Sequence, residues 1–90
     1  MLFTIACTRD IIGYQIDVQV KAEGSETISS VTTTYEDSDL ATDFLAPSEV
    51  QYQRTFTQVG GYTPGVSRTV KVSAVNDSGQ ERTASKRWQD

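Results

Sequence analysis

Residues 14–23, YQIDVQVKAE, decide the fold. Apolar side chains occupy every even position from Tyr14 to Ala22, and polar or charged side chains occupy every odd position. A period of two sustained over this length is typical of a β-strand with one buried face and one solvated face. The stretch therefore predicts an amphipathic strand whose apolar face lies in a sheet-built core.

Other strand patterns flank this stretch. Residues 28–35 predict a second strand, with Val31 and Tyr35 on the same face. Three later segments also alternate or carry a one-sided apolar face, and they are residues 50–57, 66–74 and 80–88. Turn signals such as Gly24 separate these segments at roughly 8–15-residue intervals, which is the spacing of an antiparallel sandwich.

The sequence predicts the local structure of three further segments less clearly. Residues 2–7, LFTIAC, are either a first strand or the remnant of an export signal. Residues 36–39, EDSD, predict an acidic loop. Residues 40–46 fit a helical turn, a short edge strand or a packed loop, and Pro47 is expected to end them because the residue before a proline disfavours helix. The chain thus has six or seven strands.

A family resemblance lies in residues 62–79, YTPGVSRTVKVSAVNDSG. The Pro-Gly pair, the alternating valines, the Ala-x-Asn step and the closing glycine resemble the penultimate strand of a fibronectin type III-like domain. Arg68 stands where that family has its corner tyrosine. Trp88 lies near the C-terminus, whereas the family buries a tryptophan in an early strand. The resemblance implies an all-β fold, an immunoglobulin-like antiparallel β-sandwich of six or seven strands.

Length, charge and composition limit the function classes. Residues 1–90 are expected to form one small domain. The net charge of −4 argues against nucleic acid as a partner, because nucleic-acid-binding proteins usually present a basic face. No stretch approaches the roughly 20 apolar residues of a transmembrane helix. The chain lacks histidine, the commonest general base, so we expect neither an enzyme nor a bound cofactor.

Cys7 has two interpretations. A lone cysteine in an apolar run is most often a buried, inert thiol. Residues 2–7 also resemble the end of a bacterial lipoprotein signal, in which a small residue precedes a cysteine that becomes lipidated. In that case Cys7 would anchor the protein to a membrane, in the cell envelope or outside the cell. The first interpretation leaves a cytoplasmic location open.

Asp37, Asp39 and Asp43 are the candidate metal ligands. Calcium prefers oxygen ligands, and these carboxylates lie close together in sequence. The EF-hand pattern is not met, because the sixth position lacks glycine. A solvated acidic loop is the favoured interpretation, so no metal site is expected.

Aromatic side chains are the candidate binding surface. Tyr62 follows two glycines in a loop and Trp88 lies near the C-terminus, and both are amphipathic aromatics of the kind enriched at interfaces. The other tyrosines lie in strand alternation and are expected to face the core, and they are Tyr14, Tyr35 and Tyr52. Arg54 interrupts an apolar face, so it is expected to pair with a carboxylate or to lie near the end of the sandwich.

These observations predict a non-catalytic binding or structural module, in a bacterial cell envelope or surface protein. Its partner would be a protein or a cell-surface component, bound through loops at one end or by strand addition. The alternative is a small exported inhibitor or a carbohydrate-binding protein. A flat row of exposed aromatics would favour carbohydrate, and a protruding rigid loop would favour inhibition.

Overall fold

The computed structural model describes residues 1–61 and 63–89. Within them the chain forms seven β-strands and no helix. In chain order the strands are β1 (Leu2–Arg9), β2 (Tyr14–Lys21), β3 (Ile28–Tyr35), β4 (Ser38–Glu49), β5 (Gln51–Val59), β6 (Ser67–Asn76) and β7 (Glu81–Gln89). The prediction of an all-β chain with six or seven strands is confirmed. The described chain therefore offers no long apolar helix that would cross a bilayer.

The strands form two antiparallel sheets. One sheet has the order β1-β2-β5 and the other has the order β4-β3-β6-β7. The strands with the clearest apolar alternation, β2, β3 and β6, take the inner positions, because only an inner strand buries a whole face. The edge positions are taken by β1 and β5 in one sheet and by β4 and β7 in the other.

The core lies between the two sheets. Its buried side chains come from four strands, β2, β3, β5 and β6, and they are Tyr14, Ile16, Val18, Val20, Ile28, Val31, Tyr35, Tyr52, Val59, Val70, Val72 and Ala74. The prediction that Tyr14, Tyr35 and Tyr52 face the core is confirmed. Burial of a Val or Ile side chain contributes about 1.5–3 kcal/mol, so these β-branched faces hold the sheets together.

Residues 2–7 form a strand, as one of the two interpretations predicted. The whole of β1 pairs with β2 in unbroken register, from Leu2 opposite Lys21 to Arg9 opposite Tyr14. Phe3, Ile5 and Cys7 pack partly buried against the core.

The region after β3 differs from the prediction. The acidic segment 36–39 is not a four-residue loop, because β4 begins at Ser38 and only Glu36 and Asp37 make the turn. Both have positive φ, 50° and 64°, as a two-residue hairpin turn requires. Residues 40–46 are an edge strand. Pro47 does not end it, because an edge position does not need the missing N–H and β4 continues to Glu49.

Two valines expected in strands lie just outside them. Val50 connects β4 to β5 and is 60 % exposed, and Val66 precedes β6 and is also exposed. The last strand agrees with its prediction, since Ala84 and Trp88 are both half-buried on one face of β7.

The sandwich is elongated, with extents of 43 × 19 × 17 Å. One end carries the β1–β2 turn, the β3–β4 turn and the β5–β6 connection. The opposite end carries the β2–β3, β4–β5 and β6–β7 connections. The turns and connections at these two ends are the candidate binding elements.

Candidate functional site

The turn between β1 and β2 exposes two consecutive isoleucines. Ile11 is 98 % exposed and Ile12 is 62 % exposed. Turns ordinarily use Gly, Pro, Asn, Asp and Ser, and a β-branched apolar side chain gains nothing from the fold at such a position. Departures from local rules concentrate at functional sites, so this turn is the leading candidate for recognition. We call residues 10–13 the Ile tip.

The Ile tip is braced on both sides. The Asp10 N–H donates to the Gly13 carbonyl at 3.0 Å, and the Ile11 N–H donates to the Asp10 carboxylate at 2.7 Å. Gly13 has a φ of 69°, and a Cβ there would lie 2.4 Å from the carbonyl oxygens of Val59 and Gly60. Glycine therefore lets the tip press against the start of the β5–β6 connection, which fixes its orientation.

Three aromatic rings form the base of the tip. Tyr14 meets Trp88 edge to face, with ring centroids 5.1 Å apart, and Tyr35 lies 6.2 Å from Trp88. We call these three residues the aromatic cluster. Gly60 closes it, because a Cβ there would lie 2.6 Å from the Tyr35 hydroxyl. Such ring pairs add about 0.5–1.5 kcal/mol beyond burial, so the tip rises from a firmly packed base.

The aromatic cluster is held by ring packing rather than by hydrogen bonds. The Tyr14 and Tyr35 hydroxyls and the Trp88 indole N–H are buried, and no described protein group accepts from them. Burial raises the pKa of the Tyr35 hydroxyl, because the phenolate would lose its hydration. The Tyr35 hydroxyl therefore stays protonated at neutral pH.

Of the two residues predicted to form a binding surface, Trp88 and Tyr62, the structure describes only Trp88. Trp88 lies half-buried in the aromatic cluster, where its ring packs against Tyr14, the residue that follows the Ile tip. Tyr62 lies outside the described residues.

Cys7 lies within β1, opposite Ile16 and half-buried. Burial raises the pKa of its thiol, so little thiolate is present at neutral pH and its nucleophilicity is low. Lipid attachment at Cys7 stays a prediction. It would require cleavage before Cys7, which would remove residues 2–6 of the strand that pairs with β2.

The three aspartates proposed as metal ligands are spread along one hairpin. Asp37 lies in the β3–β4 turn, Asp39 near the start of β4, and Asp43 farther along the strand. Within residues 1–61 and 63–89, no three acidic, Cys or His side chains come close enough to hold a metal ion. Asp43 is instead committed to a cross-sheet contact.

That contact joins the edge strands of the two sheets. The Arg54 guanidinium donates to both oxygens of Asp43, at 2.7 and 2.9 Å, and the Tyr52 hydroxyl donates to the same carboxylate at 2.5 Å. We call Asp43, Tyr52 and Arg54 the cross-sheet cluster. Arg54 thus pairs with a carboxylate, as one of the two alternatives predicted from the sequence. Its guanidinium also lies 4.8 Å from the centroid of the Phe56 ring.

The cross-sheet cluster shifts two pKa values in opposite directions. Hydrogen bonds from Tyr52 and then from Arg54 lower the pKa of Asp43. Burial, followed by the hydrogen bond to Asp43, raises the pKa of Tyr52 strongly. Asp43 is therefore ionised and Tyr52 protonated at neutral pH. The cluster holds the β4–β5 side of the sandwich closed.

A shallow groove of about 500 Å³ lies on the outer face of the three-stranded sheet. Most of its side chains are amides, hydroxyls or charged groups, and its lining comprises Leu2, Thr4, Gln19, Val20, Lys21, Glu49, Gln51, Tyr52 and Gln53. The groove can donate and accept hydrogen bonds. It presents no exposed aromatic face, because Tyr52 is buried.

Comparison of the chain with protein-family models, curated proteins and solved structures finds no match in any of the three. The candidate site is therefore defined by its own geometry.

Sequence reasoning missed the Ile tip. The signal was present, since Asp10 and Gly13 are turn residues that enclose the isoleucines between two strand patterns.

Proposed function

We propose that this protein is a non-catalytic binding module that inserts its Ile tip into an apolar cleft of a protein partner. The observation that carries the proposal is the 98 % exposure of Ile11 on a turn braced by Asp10 and Gly13. An apolar side chain held in water at a fixed position gains free energy only when a partner covers it.

The tip has the properties of a binding hot spot. Burial of each isoleucine in a partner would contribute about 1.5–3 kcal/mol. Because the turn is held in one conformation before binding, little conformational entropy is lost on association. The polar surroundings of the tip, which include Asp10 and the acidic β3–β4 turn, would form the rim of such an interface.

The proposal includes a fibronectin type III-like identity for the sandwich. In immunoglobulin constant domains the fourth strand pairs with the fifth, in the sheet of the first two. Here β4 pairs with β3 instead, which gives three strands in one sheet and four in the other. The motif in residues 62–79 supports the fibronectin type III-like identity, and two antiparallel sheets of three and four strands fit the wider immunoglobulin-like class. The proposed location, a bacterial cell envelope or surface, rests on the apolar run before Cys7.

Of the alternative functions, an exported inhibitor is favoured over a carbohydrate-binding protein. A braced, protruding turn is the feature expected of an inhibitor. A carbohydrate platform needs a row of exposed rings, whereas Phe44, at 80 %, is the one aromatic among the exposed large apolar side chains of the described residues.

The test compares two surface changes at opposite ends of the sandwich. Ile11→Asp combined with Ile12→Asp removes the apolar tip. Val50→Asp is the matched control, because Val50 and Ile12 are 60 % and 62 % exposed. Partners are captured from envelope extracts with the immobilised wild-type protein, purified, and titrated against each variant. We expect the tip variant to lose at least about 100-fold in affinity and the control to bind like the wild type.

Three outcomes would overturn the proposal. They are unchanged affinity of the tip variant, an equal loss in Val50→Asp, and tip-dependent binding of the wild type to lipid vesicles without any protein. Circular dichroism of each variant verifies that the sandwich is intact.

A further inference from the structure

We propose that the β7 edge of the sandwich binds an acidic polysaccharide through four exposed cations, which are Lys71, Arg82, Lys86 and Arg87. We call these four residues the basic ridge. The ridge shares no residue with the Ile tip, so this inference goes beyond the proposed function and does not depend on it.

The charges of the chain are distributed unevenly over the fold. β6 and β7 hold five of the eight basic residues and one of the twelve acidic residues, so these two strands carry a net charge of +4. The rest of the chain then carries −8, because the whole chain carries −4. At the opposite edge of the same sheet, β4 has three acidic residues and no basic one. The four-stranded sheet therefore has one acidic edge and one basic edge, and the basic edge attracts anions despite the negative net charge.

The cations of the basic ridge are available to a ligand. Each is exposed, and none forms an ion pair with a carboxylate of the described residues. The Arg82 guanidinium donates to the backbone carbonyl of Glu81 at 3.2 Å, and this neutral group leaves the charge uncompensated. Arg68, the fifth basic residue of these strands, is not part of the ridge, because it is half-buried and donates to the Gly61 carbonyl at 3.5 Å.

Two acidic side chains lie at the limits of the ridge. The Glu36 carboxylate accepts from the Thr69 N–H at 2.9 Å, on the side of β6 that faces β3. Glu81 is the first residue of β7 and precedes Arg82. Between Arg82 and Arg87 the strand has no acidic residue, so this part of the edge is positive along its whole length.

The ridge is a line of charge along one strand and not a flat patch. Arg82 and Lys86 leave β7 on the same side as the half-buried Trp88, whereas Arg87 leaves it on the outer side. From Arg82 to Arg87 the strand extends over about 17 Å. Lys71 adds a charge on β6, because it pairs with Ser85, two residues before Arg87. Cations on both sides of an edge strand suit a linear polymer that runs along the strand.

The side chains around the ridge favour a polysaccharide over other polyanions. β6 and β7 lie wholly within the described residues, and neither exposes a large apolar or aromatic side chain. Membrane-binding surfaces bury apolar side chains in the lipid, and single-stranded nucleic acids stack on aromatic rings.

The ridge offers hydroxyls instead. Ser85 is exposed opposite Lys71, and the Ser73 and Thr83 hydroxyls lie 3.2 Å apart on the next pair of the same two strands. An acidic polysaccharide supplies carboxylates or sulfates to the cations and its own hydroxyls to these side chains. Because charge holds such a ligand, it does not need the row of exposed rings that a neutral carbohydrate needs.

The test titrates the full chain into fluorescently labelled polygalacturonate, a polysaccharide with a carboxylate on each sugar, at about 10 mM and about 100 mM salt. Dextran is the uncharged control. Lys86→Glu and Arg87→Glu each reverse one charge of the ridge, on opposite sides of β7. Lys21→Glu is the matched control, because it also reverses an exposed lysine and gives the same net charge, but lies in the other sheet. Circular dichroism verifies that each variant is folded.

We expect the wild type to bind polygalacturonate more tightly at low salt than at high salt and not to bind dextran. At the highest salt concentration where the wild type still binds, Lys86→Glu and Arg87→Glu should each weaken binding about tenfold, and Lys21→Glu by less than about twofold.

Four outcomes would overturn the inference. They are a wild type that does not bind at about 10 mM salt, equal binding to dextran, an equal loss of affinity in Lys21→Glu and the ridge variants, and tighter binding to phosphatidylglycerol vesicles or single-stranded DNA than to polygalacturonate.

Discussion

Two hairpin turns at the same end of the sandwich use their side chains in opposite ways. In the β3–β4 turn, Glu36 is tied to β6, because its carboxylate accepts from the Thr69 N–H at 2.9 Å and its own N–H donates to the Thr69 carbonyl at 3.0 Å. In the Ile tip, Ile11 and Ile12 point into water while Asp10 and Gly13 hold the backbone. The β3–β4 turn uses the side chain of Glu36 to stabilise the fold. The other leaves Ile11 and Ile12 exposed, and it is the turn that we propose contacts a partner.

The largest effect should come from breaking the brace of the Ile tip. Gly13→Ala places a Cβ 2.4 Å from two backbone carbonyl oxygens and also strains the positive φ, so we expect it to destabilise the protein by about 3 kcal/mol. Gly24→Ala is the matched control, because Gly24 has a φ of 64° with nothing within 4 Å. It should cost only about 1 kcal/mol.

Urea denaturation of both variants measures this difference. Equal losses of unfolding free energy would show that the contact of Gly13 with Val59 and Gly60 is not a tight one. The contact at Gly13 would then not hold the Ile tip in a fixed conformation.

The next effect tests the cross-sheet cluster, which lies outside both turns. The pKa of Asp43 is lowered in the folded state, so its stabilising contribution is present above about pH 4 and is lost as the pH falls through the lowered pKa. We expect Asp43→Asn to cost about 1 kcal/mol at pH 7, a value reduced because Arg54 is 43 % exposed. Its stability should also fall less steeply with acid than that of the wild type.

Asp39→Asn is the control for that titration, since it removes the same charge from the same strand. In chemical unfolding between pH 7 and pH 2, the control should lose stability with acid more steeply than Asp43→Asn, because it keeps the cross-sheet cluster. An Asp43→Asn protein that keeps the wild-type slope would refute the assignment of the acid sensitivity to this cluster.

The smallest effects separate the two turns directly. Glu36→Ala removes the hydrogen bond to Thr69 and should lower the unfolding free energy by about 0.5–1 kcal/mol. Ile11→Ser removes a side chain that contacts only water, so its stability should stay within about 0.5 kcal/mol of the wild type. Thermal unfolding followed by calorimetry compares the two. A larger loss of unfolding free energy in Ile11→Ser than in Glu36→Ala would show that Ile11, and not Glu36, is the tip side chain that stabilises the fold.

The inner strands were predictable and the edge segment 40–46 was not, for a physical reason. The faces of β2 and β6 are buried completely, so their burial forces a strict alternation of residue types. Residues 40–46 lie on an edge that is covered on one side only, which relaxes the pattern and leaves strand, helix and loop equally compatible. Pro47 was wrongly expected to end this segment for the same reason, because an edge strand tolerates a missing N–H.

The sites show a similar division. The need of Arg54 for a carboxylate was predictable from its position on an apolar face. Its choice of Asp43 was not, because the contact joins two sheets whose relative placement the local pattern does not encode. The Ile tip was missed because isoleucine is usually buried, so residue type alone gave no reason to expect exposure at a turn.

We propose that the Ile tip contacts a protein partner, and this contact can be captured covalently. The most direct measurement places a photo-crosslinking amino acid at position 11 in one protein and at position 50 in another, with both irradiated in envelope extract. We expect one discrete protein adduct at position 11 that is absent at position 50. The same adduct at both positions, or none at position 11, would contradict it.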